Sequence, residues 1–134
     1  GALLLTGQRL AGKTLFGDTI ANRHFAANTI RISPNSTLKL NGRRFKMEYE
    51  LAPVLQFIKD NTLNEQPLVW LDDLELWSDA NVSFPENIRQ LRNYIDRYSN
   101  RIFFMVATSN WKCARLAKSF AKRAALPSVK VRAF

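Results

Sequence analysis

The sequence predicts an α/β fold, a mostly parallel sheet with helices on both of its faces. Three observations predict it. Uninterrupted apolar runs, rather than alternating ones, stand at 2–5, 67–71 and 102–107, as expected of strands covered on both sides. Stretches with helical spacing of apolar residues lie between them. Strand and helix alternate along the whole chain, which calls for crossover connections and parallel pairing. With 134 residues, 46% of them hydrophobic, the chain has the length and the apolar content for one domain with a real core.

The elements follow in order. Ala2–Thr6 is the first strand, and residues 7–14 form a tight loop directly after it. A helix is expected from Lys13 or Thr14 to about His24, with Leu15, Ile20 and Phe25 on or near its buried side. Thr29 to Ser33 alternates as a short strand, and Pro34-Asn35-Ser36 breaks it. Residues 36–46 read as a polar, basic connection containing Asn41-Gly42-Arg43-Arg44. A second helix is expected from about Met47 to Asn61, with Leu51, Val54, Leu55 and Ile58 on its apolar face; Pro53 implies a kink or a start near Ala52. Pro67 to Leu71 is a strand ending in Asp72-Asp73. Ser83 caps a third helix, with Pro85 in its first turn and Glu86 completing a capping box. Its stripe of Ile88, Leu91, Ile95 and Tyr98 reads as core. Ile102 to Ala107 is a strand ending in Thr108-Ser109-Asn110. A fourth helix around Cys113 to Lys122 and a last strand from Val129 to Phe134 complete the pattern.

Composition excludes several classes. No apolar stretch approaches the ~18 residues of a membrane span, and Leu3 to Leu5 is too short for the core of a signal peptide. A single cysteine, Cys113, rules out a disulfide framework and fits a reducing, cytoplasmic setting. His24, the one histidine, falls at the far end of the first helix and reads as a capping or surface residue. The chain begins at a buried strand, as expected of a segment taken from something longer. The formal charge is +9. From Trp111 onward Lys112, Arg115, Lys118, Lys122, Arg123, Lys130 and Arg132 stand with no acidic residue, which suits a phosphate-rich partner, an acidic protein surface or a solvated helix face.

Three segments carry chemistry. The loop Gly7-Gln8-Arg9-Leu10-Ala11-Gly12-Lys13-Thr14, followed by Leu15, has the form GxxxxGK[ST], between a strand and a helix. In that setting backbone N–H groups converge on a phosphate at the positive end of the helix. Lys13 reaches the outer phosphates, and Thr14 places its hydroxyl on Mg²⁺. Gly7 and Gly12 stand where the turn needs positive φ or close backbone approach. The second segment, Leu68-Val69-Trp70-Leu71-Asp72-Asp73, puts two carboxylates at the end of a buried strand. Asp72 is placed to hold Mg²⁺ through water, and Asp73 to polarise an attacking water. The third, Val106 to Asn110, puts Asn110 within reach of that water or of the γ-phosphate. Ligands of open α/β sheets bind at these strand ends.

The order GxxxxGKT, then four apolar residues and Asp-Asp, then Ala-Thr-Ser-Asn resembles the AAA+ ATPases over essentially the whole chain. The resemblance implies a P-loop NTPase three-layer sandwich with a five-stranded parallel sheet of order 5-1-4-3-2. It makes residues 1–134 the large ATP-binding subdomain without its helical lid, with ATP and Mg²⁺ as cofactors and Asn110 as the sensor-one residue. Leu40 to Phe45 and Gln66 to Leu76 further resemble the first ATPase domain of the peroxisomal biogenesis AAA proteins of the peroxin 1 type. That would imply a subunit of a homo- or hetero-hexamer working on a protein substrate, peripheral to the peroxisomal membrane.

The chain departs from the family pattern at three places. Leu10 replaces a loop glycine. Asp73 stands where a glutamate is usual, and a ~1 Å retreat of a base from its water can cost on the order of a hundredfold. Ala124-Ala125-Leu126 occupies the arginine-finger region, and phosphoryl transfer without a finger loses on the order of 10³-fold or more. These departures favour ATP binding with slow hydrolysis. Two other readings stay open: a nucleic-acid helicase or replication-type ATPase using the basic surface, and a nucleotide-gated interaction module with no turnover. Residues 32–47 occupy the place of a central-pore loop, where Phe45 is the only aromatic and Lys39, Arg43 and Arg44 face either the pore or solvent.

Overall fold

The computed structural model of the chain describes residues 1–7 and 12–109, together with the backbone of residues 128–130. Four strands, β1 (Ala2–Thr6), β2 (Thr29–Ile32), β5 (Leu68–Leu71) and β6 (Phe103–Thr108), form a parallel sheet in the order β2-β5-β6-β1. The register runs Thr29 beside Leu68, Leu68 beside Phe103, and Ala2 beside Phe104. Ser128–Lys130, labelled β7, pairs in parallel with the outer side of β1. Because the strands are parallel, Gly7, Asp72 and Ser109 follow their strands at one edge of the sheet.

The helices take opposite faces. Helix α1 (Lys13–His24) covers Leu5, Leu68, Trp70, Met105 and Ala107. Helices α2 (Leu51–Asp60) and α3 (Phe84–Tyr98) cover Leu4, Val69, Leu71, Phe104 and Val106. Successive β5 residues thus face different helices, and that is why all four are buried and why the run shows no polar alternation.

Helix α1 meets the sheet differently from the expectation. Its buried positions are Lys13, Gly17 and Ala21, while Leu15 is 73% exposed. Ile20 and Phe25 do pack against the core as expected. The helix approaches β5 so closely that small residues line the contact, and Leu15 projects away from it.

Three further boundaries move. Helix α2 begins at Leu51, one residue from the start near Ala52 that Pro53 implied, and not at Met47. Pro53 therefore stands in the first turn, where the missing N–H has no intrahelical acceptor to lose. Met47 is instead a core residue, its backbone bonded to Ser36 and Asn35. Strand β6 starts one residue after the expected Ile102. The segment read as a polar connection is a hairpin, β3 (Thr37–Leu40) and β4 (Arg43–Lys46), paired antiparallel. Asn41 (φ 53°) and Gly42 (φ 75°) make its turn, both in the left-handed region that the tight two-residue hairpin turn needs. Phe45 lies against Phe57 of α2, ring centroids 5.2 Å apart, so the aromatic side chain of this segment packs on the core rather than outward. Lys39, Arg43 and Arg44 are exposed.

Helix α3 starts where its sequence signals place it. Glu86 does not complete the capping box, however: its carboxylate accepts from Arg89 and Gln90 of its own helix. The Ser83 hydroxyl accepts from the Glu86 N–H at 3.4 Å, and Ile88, Leu91 and Ile95 are buried. The expected fourth helix around Cys113 to Lys122, the Ala124-Ala125-Leu126 run, the basic residues between them and residues 131–134 lie outside the described residues. Among the described residues, no helix is long and apolar enough to cross a membrane.

Candidate functional site

The loop after β1 is held by two glycines with positive φ, Gly7 at 151° and Gly12 at 92°. Gly12 is the residue before α1, and its carbonyl accepts from the Phe16 N–H at 2.9 Å. An L side chain at Gly12 would be strained by the backbone alone, since no neighbouring atom lies within 4 Å of its would-be β-carbon. Lys13 is 7% exposed, and its Nζ donates to the Gly7 carbonyl at 2.9 Å, back across the loop. Gln8, Arg9, Leu10 and Ala11 lie outside the described residues, as does Asn110.

Thr14 and Asp72 meet. The Thr14 hydroxyl donates to Asp72 Oδ1 at 2.8 Å, across 58 positions of sequence. This follows from the sheet order: β6 alone separates β1 from β5, and α1 runs back over that side of the sheet. The two residues line a hollow of about 550 Å³, together with Gly12, Lys13, Leu15, Asp18, Asp73 and Ser109. That volume is in the range of small-molecule and cofactor sites. Leu15, exposed from the helix, is at its wall. Asp73 begins the short 3-10 turn Leu74–Leu76, exposed and at the edge of the hollow.

The donor set fits a magnesium–triphosphate. Mg²⁺ keeps several waters and takes one or two protein oxygens beside those of the phosphates. Thr14 and Asp72 have their oxygens together at the mouth of the hollow beside the loop after β1. A site of this kind does not need a cluster of protein ligands, and no group of three or more His, Cys, Asp or Glu side chains is found among the described residues.

Sequence reasoning missed two contributors. Arg31, on β2, contacts Asp72 Oδ2 through Nη2 and reaches Asp18 Oδ1 through Nη1 at 3.4 Å. The same Asp18 oxygen accepts from Trp70 Nε1 at 2.9 Å. Only the pairing of β2 with β5 brings these residues together, and no local pattern announces it. Glu75 is the other. Its Oε1 accepts from the Thr108 hydroxyl and, at 2.6 Å, from the Ser109 N–H. The turn after β5 is thereby tied to the end of β6.

No protein-family model matches the chain, and no curated protein sequence matches it.

Proposed function

We propose that the chain binds ATP with Mg²⁺ in the hollow at the strand ends and is the large subdomain of an AAA+ ATPase. The observation that carries this reading is the 2.8 Å hydrogen bond from Thr14 to Asp72. Two motifs far apart in sequence, each expected to contact the same ion, have their oxygens in contact. Lys13, whose Nζ donates to the Gly7 carbonyl, would turn to the outer phosphates. Gly12 and the first N–H groups of α1 would receive the inner ones. Thr14 and Asp72 would hold Mg²⁺, which would supply charge neutralisation at the phosphates.

The finer reading is slow hydrolysis in the service of a hexameric protein-remodelling machine. Asp73 is the carboxylate at the hollow's edge, one methylene short of a glutamate. The parallel pairing of Ser128–Lys130 with β1 supports the five-stranded 5-1-4-3-2 order. The resemblance to the peroxin 1 type adds receptor export at the peroxisomal membrane as the process. Titration calorimetry with ATP and Mg²⁺ tests the core of the reading. Binding is expected for the wild type and not for Lys13→Ala, and equal binding by both rejects the site.

A second reading, nucleic-acid binding by a helicase or replication-type ATPase, is favoured by the hairpin. Its outward face carries Lys39 opposite Arg44 and Lys46 opposite Thr37, with no carboxylate. Like charges directly opposite are unfavourable unless an anion lies over them. Single-stranded DNA that fails to shift the protein at low salt removes this reading.

A further inference from the structure

The Asp72 carboxylate is engaged on both oxygens, Oδ1 by Thr14 and Oδ2 by Arg31. Arg31 stands opposite Trp70, two residues before Asp72, so its guanidinium runs along the C-terminal edge of the sheet to reach the acid. There it bridges two carboxylates, Asp72 and Asp18. Asp18 is itself anchored by the indole N–H of Trp70. The Arg31 side chain is 49% exposed and that of Asp72 is 20% exposed, so the cation lies on the solvent side of the acid it covers. It can leave without disturbing the core.

This arrangement creates a competition. Both Asp72 oxygens already accept a donor, so a water of hydrated Mg²⁺ would have to displace or share with Thr14 at Oδ1 or the guanidinium at Oδ2. A divalent ion held beside Asp72 would also repel the guanidinium. Without a divalent ion, Arg31 offsets the charges of Asp18 and Asp72, which face the same hollow. With one, that offset is supplied twice. We propose that Arg31 is a displaceable counter-ion for Asp72. It holds the carboxylate while the site is empty, swings out when magnesium and triphosphate enter, and so sets the magnesium concentration at which nucleotide is held. This rests on the nucleotide reading above. Arg31 acts through Asp72 and is a positioning residue.

The test follows ATP affinity of the full chain by calorimetry across a magnesium titration and in EDTA, for wild type, Arg31→Met and Arg31→Lys. For Arg31→Met, the magnesium midpoint should fall about threefold or more, the scale of a partly exposed ion pair. Its affinity for ATP in EDTA should be no higher than the wild type's, because Asp18 and Asp72 then face the phosphates without their counter-ion. Its melting temperature in EDTA should drop below the wild type's, and the gap should close when ATP and Mg²⁺ are both present. Arg31→Lys cannot bridge two carboxylates with a fork, so its midpoint should shift in the same direction by less. An unmoved midpoint in both variants overturns the proposal. So does weaker ATP binding with and without magnesium, which would make Arg31 a direct phosphate contact. A wild type that binds no ATP at any magnesium concentration overturns the nucleotide reading itself. Wild-type binding with an unmoved midpoint overturns only the role of Arg31.

Discussion

A β-carbon on Gly17 would stand 2.3 Å from Cζ2 of Trp70. Real β-carbons do not approach so closely, so the backbone of α1 lies directly against the six-membered ring of the indole and only glycine fits between them. The same contact brings Asp18, the next residue, within 2.9 Å of Trp70 Nε1. Close packing of helix on strand and the position of an acid in the hollow are therefore one feature. Gly17→Ala should destabilise the fold by about 1–3 kcal/mol, the cost of overpacking a core contact. Trp70→Phe in the Gly17→Ala background removes the two indole atoms that clash and should recover part of that loss. Urea denaturation of the two single variants and the double variant measures the coupling, and additive effects would contradict the contact.

The same helix explains why its buried side was harder to read than the strands. Leu68 to Leu71 is apolar because both faces of β5 are covered, and this is visible as a plain run of letters. In α1 the buried face is made by Lys13, Gly17 and Ala21, and the large apolar Leu15 points to solvent. Helical periodicity weights large apolar residues and misses a contact made of small ones. The hairpin had a local signal in Asn41-Gly42, which was masked by the polar, basic residues on its outward face. Thr14 and Asp72 were legible because each belongs to a motif. Arg31 and Glu75 belong to none, and their roles exist only once β2, β5 and β6 lie side by side.

The Thr14 hydroxyl should matter only when magnesium is present. Thr14→Val removes the oxygen shared with Asp72 while keeping the shape of the side chain. Its ATP affinity in EDTA should stay near the wild type's, and the gain on adding Mg²⁺ should shrink by about tenfold or more. Thr14→Ser should restore it. Calorimetry with and without EDTA separates the two contributions. A variant that loses affinity equally in both conditions would show that Thr14 acts on the phosphates or the loop and not on the ion.

Asp73 and Glu75, two of the acids after β5, should separate in their effects. Asp73 is exposed at the edge of the hollow, whereas Glu75 binds the end of β6 through the Thr108 hydroxyl and the Ser109 N–H. On the slow-hydrolysis reading, Asp73→Asn should barely change turnover, and Asp73→Glu, by extending the carboxylate, should raise it. Glu75→Ala should instead cost about 1–3 kcal/mol of stability, since Thr108 is buried and both donors lose their acceptor. It should also speed hydrogen exchange at the Ser109 amide. Phosphate release and exchange mass spectrometry read the two effects independently. Brisk wild-type turnover that Asp73→Asn abolishes would mean that aspartate is long enough for the task.

Asn87 holds the helical layer on the far face of the sheet. It is 2% exposed on α3, and its Oδ1 accepts from the N–H of Leu51, the first residue of α2, at 3.0 Å. Its Nδ2 donates to the carbonyls of Tyr49 at 2.6 Å and Trp77 at 2.7 Å. One amide thus supplies an acceptor to a helix N-terminus, where N–H groups lack intrahelical partners, and two donors to loop carbonyls. Asn87→Ala leaves all three backbone groups without it and should cost about 2–4 kcal/mol, at the upper end for a single substitution. Asn87→Asp keeps the acceptor, loses both donors and buries a charge, so near pH 7 it should cost at least as much. Burial raises the pKa of such a carboxyl above its unfolded value. The aspartate variant should therefore regain stability relative to Asn87→Ala as the pH falls toward about 4, where the protonated acid offers one donor again. Urea denaturation of both variants at the two pH values gives the comparison. A constant difference between them would mean that the carboxyl titrates alike in the folded and unfolded states, which contradicts a buried, donor-poor site at this position.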